Sequence, residues 1–336
     1  MIYRSRAPMR IDLAGGWTDV SPYAGQCGGA VVNVAIALYA HVTIRPGGRE
    51  VRLSAPDLGA SVTARRAEDL RADGELALLK AAVRRHAPEG GLEIMISSDA
   101  PPGSGLGGSG ALGVALVAAL YALSGTRRMP AEIAAAAFET ETQEAGVIGG
   151  KQDQYAAALG GVQFLAFGDP EVSAARLDVP WASLRELEHH LVLCYTGVSR
   201  VSSETHHRVW QDFARGEARV RTALDGLRSC AHAMRVALER GDTGHVGAIL
   251  NENWRLQQQL ADGMRTDAMA RLERVALEAG AEGMKACGAG AGGCEVFLAR
   301  PGREYELAAA LRAAGGTVLR FTFDTTGVAA WESGER

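Results

Sequence analysis

Cysteine is scarce in this sequence and shows no metal-binding spacing. The five cysteines among 336 residues include no C-x-x-C pair; they are Cys27, Cys194, Cys230, Cys287 and Cys294. Structural zinc sites need closely spaced Cys or His ligands, and stable disulfides belong to oxidising compartments. The sequence therefore predicts reduced thiols, a cytoplasmic location and no structural metal.

Excess positive charge and long apolar runs are also missing. The formal net charge is −4 at pH 7, which gives no electrostatic footprint for nucleic acid. No apolar run approaches the roughly 18 residues that span a membrane, and residues 1–4 lack a signal-peptide pattern. We therefore expect neither a nucleic-acid nor a membrane partner. The 47% hydrophobic and 22% charged content predicts a globular protein of about two domains.

Glycine, in contrast, is abundant, and it clusters in a strand-to-helix turn at residues 101–110. The turn follows a strand-like run at 92–96 and opens a helical run at 111–123. Amides at a helix N-terminus lack intrahelical partners and lie at the positive end of the helix dipole, so the turn is a candidate phosphate cradle. The predicted phosphate-binding residues are Pro102, Gly103, Ser104, Gly105, Leu106, Gly107, Gly108, Ser109 and Gly110.

Two other glycine motifs and a plain turn compete with this interpretation. Gly103, Gly105 and Gly108 satisfy the G-x-G-x-x-G dinucleotide fingerprint. However, two prolines separate the first glycine from the strand, and the region about 20 residues further on, at 125–128, has no acidic residue. A Walker A loop would end in Gly-Lys-Ser/Thr, which is absent here. A flexible glycine turn is the remaining alternative.

The glycine turn resembles the second motif of the GHMP kinases, the family of galactokinase, homoserine kinase, mevalonate kinase and phosphomevalonate kinase. In that family a Pro-x-x-x-Gly-Leu-Gly-Ser-Ser-type loop wraps the ATP phosphates. Ser109 occupies the position of the family's magnesium-coordinating serine. The resemblance therefore implies that this loop binds ATP and that Ser109 holds Mg²⁺.

Residues 6–19 resemble the first GHMP motif, which contacts the sugar. The resemblance places Arg10 beside the transferred phosphate, as a catalytic residue, and Asp19 on sugar hydroxyls. An ion pair between Arg10 and Asp12 at the protein surface is the structural alternative. The further substrate-contact candidates on this stretch are Asp12, Gly16, Trp17 and Thr18.

Residues 149–161 resemble the stretch that carries the family's catalytic aspartate. Asp153 lies near the start of a predicted helix, where the dipole favours an ionised carboxylate, and the resemblance makes it the catalytic base. Glu141 matches the magnesium-binding glutamate, with Glu139 as the alternative if the register shifts. For both glutamates a solvated helix face is the structural alternative. Further predicted substrate contacts are Gly150, Lys151, Gln152 and Arg200.

A second glycine-rich loop at residues 285–293 resembles the third GHMP motif, which folds back toward the phosphate loop. Cys287 stands where that motif usually has Ser or Thr. Because a thiol donates only a weak hydrogen bond, the backbone amides of this loop are expected to make the contacts instead. The predicted nucleotide-binding residues here are Gly288, Ala289 and Gly290.

The three motifs occur in family order, so the resemblance implies the α+β GHMP kinase fold. That fold has an N-terminal domain similar to ribosomal protein S5 domain 2, here residues 1–180, and a C-terminal ferredoxin-like domain, here 181–336. ATP and a sugar would bind between them. The implied reaction is Mg²⁺-dependent transfer of the γ-phosphate of ATP to a sugar hydroxyl.

The motifs leave the acceptor sugar open. Residues 149–161 resemble bacterial D-glycero-D-manno-heptose 7-phosphate kinases, which phosphorylate the anomeric hydroxyl, whereas residues 10–19 resemble L-fucokinase domains. The main expectation is a heptose 7-phosphate 1-kinase in which Lys151 and Arg200 either bind the substrate phosphate or are solvated. An L-fucokinase-like or other monosaccharide 1-kinase is the alternative. A non-catalytic sugar or nucleotide sensor is disfavoured because the proposed catalytic and metal-binding residues are all present.

Overall fold

The computed structural model describes residues 1–146, 149–168, 171–199 and 202–334, with the side chains of 202–204 excepted. The strands are β1 (Ile2–Ala14), β2 (Gly29–Pro46), β3 (Val51–Ala55), β4 (Ala60–Ala64), β5 (Leu92–Ser98), β6 (Val162–Phe167), β7 (Val172–Arg176), β8 (Leu191–Tyr195), β9 (Ala281–Ala286), β10 (Cys294–Ala299), β11 (Thr317–Leu319) and β12 (Ala329–Ser333). The α-helices are α1 (Tyr23–Cys27), α2 (Ala77–His86), α3 (Gly108–Leu123), α4 (Pro130–Glu139), α5 (Gln152–Leu159), α6 (Trp181–His190), α7 (Ser202–Ala214), α8 (Ala218–Glu239), α9 (Val246–Gln258), α10 (Asp267–Glu278) and α11 (Glu304–Ala313). Within this described part of the chain, the helices are too short or too polar to cross a bilayer.

The larger sheet has eight strands. Strands β12, β1, β2, β5, β3 and β4 lie side by side in that order, and β6 and β7 extend the sheet from β2. Strand β2 is 18 residues long, so its first part pairs with β6 and its last part pairs with β5. The second half of β1, residues 7–14, is buried on both faces. The side chains of Arg10 and Asp12 are therefore held away from bulk water.

Helix α3 lies at the centre of the helical layer that covers this sheet. Its sequence is rich in Ala, Leu and Val, and residues 113–120 are all buried. The helix begins after Gly107, whose φ of 75° is a left-handed conformation that glycine adopts without steric cost. Helices α2, α4 and α5 pack beside it. The glycine turn therefore directs the amino end of α3 toward the start of α5.

The second sheet has four antiparallel strands in the order β11, β8, β10 and β9. Helices α10 and α11 cover it through an apolar cluster that includes Leu272, Phe297 and Leu307. Helix α8 contacts β1 and β2, and helix α9 contacts β9. These two helices thus bridge the two sheets and bring β9 close to β1.

The last strand returns to the first sheet. β12 pairs antiparallel with β1, from Arg6 opposite Ala329 to Ile2 opposite Ser333. Residues near the end of the predicted C-terminal domain, 181–336, therefore complete the N-terminal sheet. Helix α6 begins at Trp181 after Pro180, and the boundary between 180 and 181 stays a prediction.

The elements around the glycine turn match their sequence predictions closely, and the α+β class is confirmed. Helix α3 includes the predicted run 111–123 but begins three residues earlier, within the glycine turn. The predicted helix at 131–143 divides into α4 and a π-helical turn, Thr140–Glu144. Such turns are rare and often occur at functional sites.

Helices α3 and α5 touch at Gly110, which gives a test of the packing. A Cβ at Gly110 would lie 2.6 Å from Asp153 Cβ, so Gly110→Ala should force the helices apart and cost about 1–3 kcal/mol. Gly113, on the same helix, is the matched control, because a Cβ there would lie 3.7 Å from its nearest neighbour, Ala137 Cβ. Gly113→Ala should be neutral or stabilising by up to ~1 kcal/mol. Urea unfolding of both variants measures this, and equal stabilities would contradict the packing.

Candidate active site

A cavity of about 550 Å³ lies beside the inner half of β1, which is enough for a small-molecule ligand. Its wall includes the end of β1 and the loop after it, the glycine turn before α3, the start of α5 and the loop after β9. The two glycine-rich loops, the loop after β1 and the start of α5, all identified in the sequence, therefore line one cavity, although up to 277 residues separate the groups that meet there.

The Arg10 guanidinium joins these segments. Its Nε and Nη2 atoms lie 2.8 and 2.7 Å from Asp153 Oδ1. Its Nη1 atom donates to the carbonyl oxygens of Gly105 and Cys287 at 2.7 and 2.8 Å. Burial opposes the charge, but the carboxylates of Asp153 and Asp12 outweigh burial and raise the pKa of Arg10. The two residues predicted to be catalytic, Arg10 and Asp153, are in direct contact.

The glycine turn has the backbone geometry of an anion site. Gly103, Gly105 and Gly107 have φ values of 71°, 74° and 75°, and such alternation of conformations points successive amides into one concavity. The Ser104 carbonyl accepts a hydrogen bond from Cys294 N at 2.6 Å, which fixes the turn against β10. The cavity wall includes Pro102, Gly103, Ser104, Gly105, Gly107, Gly108 and Ser109.

Two of the predicted phosphate-binding residues do not line the cavity. Leu106 is fully buried, and its carbonyl accepts a hydrogen bond from Arg10 N at 3.0 Å. Gly110 lies against Asp153, inside the contact between α3 and α5. Both residues therefore support the turn on the side that faces away from the cavity.

Ser109 and Glu141, the predicted metal ligands, are adjacent. Ser109 Oγ donates to Glu141 Oε1 at 2.5 Å, and Gln154 Nε2 donates to Glu141 Oε2 at 2.6 Å. Burial raises the pKa of Glu141, the two hydrogen bonds lower it, and Asp153 adds to the rise. Glu139, the alternative ligand, points elsewhere and pairs with Arg85 at 2.6 Å on the surface. The π-helical turn thus selects Glu141 for the cavity.

Asp19 lies on the cavity wall beside the start of α5. Its Oδ2 atom accepts a hydrogen bond from Gln152 N at 3.1 Å, and a Cβ at Gly150 would overlap its carboxylate. Burial, aided by the charge of Asp153, raises the pKa of Asp19 to about 7, against the lowering effect of the Gln152 amide. Asp19 therefore titrates near neutral pH.

Thr18 was predicted to contact substrate, but it does not line the cavity. Its hydroxyl donates to the carbonyl oxygens of Gly15 and Ala30 at 2.8 and 2.9 Å and accepts from Ala30 N at 3.0 Å. The residue is fully buried. Because these bonds occupy the hydroxyl, Thr18 fixes the loop after β1 and leaves ligand contact to its neighbours.

Asp12 pairs with a residue that the sequence did not indicate. Lys285 Nζ donates to Asp12 Oδ2 at 2.9 Å and to the Asp12 carbonyl at 2.6 Å. Asp12 and Lys285 are both buried, so the surface ion pair that was the alternative interpretation of Asp12 and Arg10 is wrong. A Cβ at Gly16 would overlap Asp12 Oδ2, which explains why glycine is needed there.

Trp17 completes the wall of the cavity next to Asp19. Its φ of 81° is unusual for a residue other than glycine and costs about 1–2 kcal/mol. The indole stacks on the imidazole of His206, with ring centroids 4.4 Å apart. Backbone strain held in place by such packing often marks a functional position.

Unsatisfied polar atoms cluster on this side of the cavity. Among the residues that the structure describes, the buried cavity-wall atoms without a hydrogen-bond partner include Asp12 Oδ1, Trp17 Nε1, Gln152 Oε1 and Gln154 Oε1. An unsatisfied buried polar atom costs about 1–3 kcal/mol. Three acceptors and one donor together suit a ligand that carries several hydroxyl groups.

The glycine-rich loop at residues 285–293, which resembles the third motif, forms one side of the cavity. Gly288 and Ala289 line it, whereas Gly290 lies behind them and packs on Met264. Burial raises the pKa of the Cys287 thiol to about 12, so the thiol is neutral, and it is the Cys287 carbonyl that contacts Arg10. That backbone amides of this loop bind the nucleotide stays a prediction.

The two basic residues predicted to meet a substrate phosphate are placed differently. Lys151 lines a smaller cavity of about 350 Å³ that shares Asp19 and Gly149 with the main one. Its ammonium also lies 5.5 Å from the centroid of the Phe138 ring. Arg200 lies outside the described residues.

Sequence reasoning missed Lys285, Gln154 and His206 as parts of this site. Gln154 directly follows Asp153 and could have been found from the Gln-Asp-Gln triplet. Lys285 begins the third motif, but its partner is 273 residues away. His206 belongs to α7, where no local pattern distinguishes a cavity residue from a surface one.

Comparison with known proteins finds a family match in each half of the chain. The family model for the GHMP kinases N-terminal domain matches residues 76–161, and the model for the GHMP kinases C-terminal domain matches residues 234–317.

Three relatives illustrate the range of similarity. D-glycero-alpha-D-manno-heptose 7-phosphate kinase of Campylobacter jejuni is 32% identical over 336 residues, which cover 98% of each protein. The crystal structure of a D-glycero-D-manno-heptose 1-phosphate kinase from Bacteroides thetaiotaomicron superposes with a TM-score of 0.82 at 29% identity, over 99% of this chain and 100% of that one. The bifunctional fucokinase/GDP-fucose pyrophosphorylase of Arabidopsis thaliana is 27% identical over 87% of this chain and 29% of its own length.

The pKa of Asp19 predicts how stability changes with pH. The unfolded carboxyl ionises near its ordinary value of 3.8, whereas the folded one keeps its proton until about pH 7. The folded state thus binds more protons between these values, so stability falls as pH rises through that window. Relative to Asp19→Asn, wild-type protein should lose about 1–4 kcal/mol between pH 5 and pH 8. Urea unfolding at both pH values tests this, and a constant difference would show that the carboxyl ionises normally.

Proposed function

The chain belongs to the GHMP kinase family, and on that premise we propose that it transfers the γ-phosphate of ATP to the anomeric hydroxyl of a sugar. The acceptor that we favour is D-glycero-D-manno-heptose 7-phosphate. One observation carries the proposal: the contact between Arg10 and Asp153 lies between the glycine turn and the cluster of unsatisfied polar atoms. A general base therefore sits between an anion site and a site for hydroxyl groups.

The nucleotide half of the proposal rests on the glycine turn. The amides of the turn residues that line the cavity and the positive end of the α3 dipole would hold the β- and γ-phosphates; these residues are Gly103, Ser104, Gly105, Gly107, Gly108 and Ser109. Gly288 and Ala289 face the same space from the third loop. In the proposed complex, Arg10 would neutralise charge on the transferring group while still bonded to Asp153.

The metal half rests on Ser109 and Glu141. Mg²⁺ prefers oxygen ligands and usually takes one or two carboxylates together with substrate phosphates. A buried carboxylate whose pKa is raised by burial and by a second carboxylate, Asp153, fits such a cation. We assign Mg²⁺ to Ser109 and Glu141, where it would neutralise phosphate charge.

Asp153 would act as the general base. The anomeric hydroxyl would give its proton to the Asp153 carboxylate as its oxygen forms a bond to the γ-phosphorus, and the bond to the ADP oxygen breaks. Arg10 binds Oδ1 of this carboxylate through two N–H groups, which fixes its orientation. The protein's main contribution is then positioning and charge neutralisation.

The sugar would bind to the polar cluster and Asp19. Asp12, Gln152 and Asp19 offer acceptors and Trp17 offers a donor. The relative from Campylobacter jejuni, named as a heptose 7-phosphate kinase, supports heptose 7-phosphate as the acceptor. Lys151, and Arg200 beyond the described residues, are the candidates for its phosphate.

L-Fucose, or another monosaccharide phosphorylated at C1, is the second candidate. The Arg-Ile-Asp-Leu-Ala-Gly-Gly-Trp-Thr-Asp sequence at 10–19 resembles L-fucokinase domains, and a named fucokinase is among the relatives. Asp12 and Trp17 belong to this sequence, and both line the cavity. A sugar sensor without catalysis would not need the contact between Arg10 and Asp153.

Turnover with a sugar panel tests the proposed function. Pure protein with ATP and Mg²⁺ should release ADP with heptose 7-phosphate faster than with L-fucose or other monosaccharides. Removal of the metal with EDTA should abolish release, because the phosphate charge would lose its counter-ion. A higher kcat/KM for L-fucose would favour the second candidate. If no sugar raised ADP release above background, the kinase assignment would be wrong.

Asp153→Asn tests the base assignment. The amide cannot accept the proton, so kcat should fall by about 10²–10⁴-fold, while ATP affinity should stay close to that of wild type. Asp99→Asn is the matched control, since Asp99 lies on the surface at 41% side-chain exposure and should leave turnover unchanged. Steady-state kinetics and ATP titration measure both. Near-normal turnover by Asp153→Asn would remove Asp153 from the base role.

A further inference from the structure

Two cationic side chains link β1 and the end of β9, one donating hydrogen bonds from each strand to the other. Arg10, on β1, donates to the carbonyl of Cys287, which directly follows β9, at 2.8 Å. Lys285, on β9, donates to the carbonyl and the carboxylate of Asp12, on β1, at 2.6 and 2.9 Å. We call these four residues, Arg10, Asp12, Lys285 and Cys287, the reciprocal clasp.

The Lys285 ammonium is fully occupied within this clasp. Its third hydrogen bond goes to the Ala286 carbonyl at 2.9 Å, so the three donors of the ammonium have three acceptors. The Lys285 side chain is 0% exposed and that of Asp12 is 2% exposed. Lys285 is also not among the residues that line the cavity. It therefore has no direct route to a bound ligand.

Asp12, in contrast, faces in two directions. Its Oδ2 atom binds Lys285, whereas its Oδ1 atom is buried without a partner among the described residues, and the residue lies on the cavity wall. A buried carboxylate is costly unless it is paired and hydrogen-bonded. The ammonium supplies that pairing at one oxygen and leaves the other available to a ligand.

Building on the proposed function, we propose that Lys285 is a positioning residue for the sugar: it holds Asp12 through Oδ2 and aims Oδ1 at a sugar hydroxyl. Trp17 Nε1 and Gln152 Oε1, also unpartnered on the cavity wall, complete the set of groups for a polyhydroxylated acceptor. Lys285 thus acts on the substrate through Asp12 and not by contact.

A purely structural ion pair between the two strands is the competing explanation. It would also make Lys285 variants less stable, so stability alone does not separate the two. The positioning role makes two further demands. The defect must fall on the sugar and not on ATP, and it must act through Asp12, so that it disappears where Asp12 is already substituted.

Lys285→Met tests the proposal, with Asp12→Asn and the double variant alongside. In Lys285→Met the buried Asp12 carboxylate loses the ammonium that fixes its orientation. We expect KM for the sugar to rise about tenfold or more, with little change for ATP. Adding Lys285→Met to Asp12→Asn should cause no further loss.

Lys80→Met is the matched control, because Lys80 is also a buried lysine, 8% exposed, but bonds to the Asp73 carbonyl away from the cavity wall. It should show wild-type kinetics. The proposal is overturned if sugar and ATP constants rise together, or if the losses of Asp12→Asn and Lys285→Met add.

The same variants also give a result if Lys285→Met does not fold or if the wild-type protein shows no turnover. If Lys285→Met alone does not fold, the double variant, which lacks the uncompensated carboxylate, must still match Asp12→Asn in sugar KM or the proposal fails. If wild-type protein turns over no sugar, the proposed function is wrong. Calorimetric sugar binding then decides on Lys285: equal binding by wild type and Lys285→Met overturns the positioning role.

Discussion

The buried guanidinium of Arg10 is the constraint on which the site depends. It bonds to Asp153, Gly105 and Cys287, which belong to three different segments, while its own strand lies in the core of the large sheet. A buried charge that loses a partner costs about 3–5 kcal/mol. The glycine turn, the start of α5 and the loop after β9 must therefore be in place together. Folding and assembly of the site are the same event.

The carboxylates on the cavity wall are paired unevenly with cations. They include Asp12, Asp19, Glu141 and Asp153. Lys285 pairs with the first and Arg10 with the last. Asp19 and Glu141 have no cation at ion-pair distance in the described part of the chain, and burial raises the pKa values of both. The proposed ligands meet this arrangement: a metal ion at Glu141 and sugar hydroxyls at Asp19.

The sequence predicted the local parts of this structure better than the long-range ones. The glycine turn and the helix after it follow from glycine, helix propensity and the strand before them, so their positions were predictable to within a few residues. The partner of Asp12 was not, because Lys285 is 273 residues away and no local pattern encodes a pairing across two sheets. Whether Thr18 or Glu139 faces the cavity was not predictable for a related reason. Residue type alone does not say whether a hydroxyl or carboxylate turns toward the cavity or toward its own backbone and neighbours.

Glycine has a second role here besides phosphate binding, which is to leave room for the carboxylates of the site. Three carboxylates of the site each lie against a glycine where a Cβ would clash; the pairs are Asp12 with Gly16, Asp19 with Gly150 and Asp153 with Gly110. The glycine turn also uses left-handed backbone conformations to form its concavity. This explains why Gly110 belongs to the phosphate-binding motif and yet does not line the cavity. Its lack of a side chain lets α5 approach α3 closely enough to bring Asp153 to Arg10, so the motif encodes the position of the proposed base as well as the anion site.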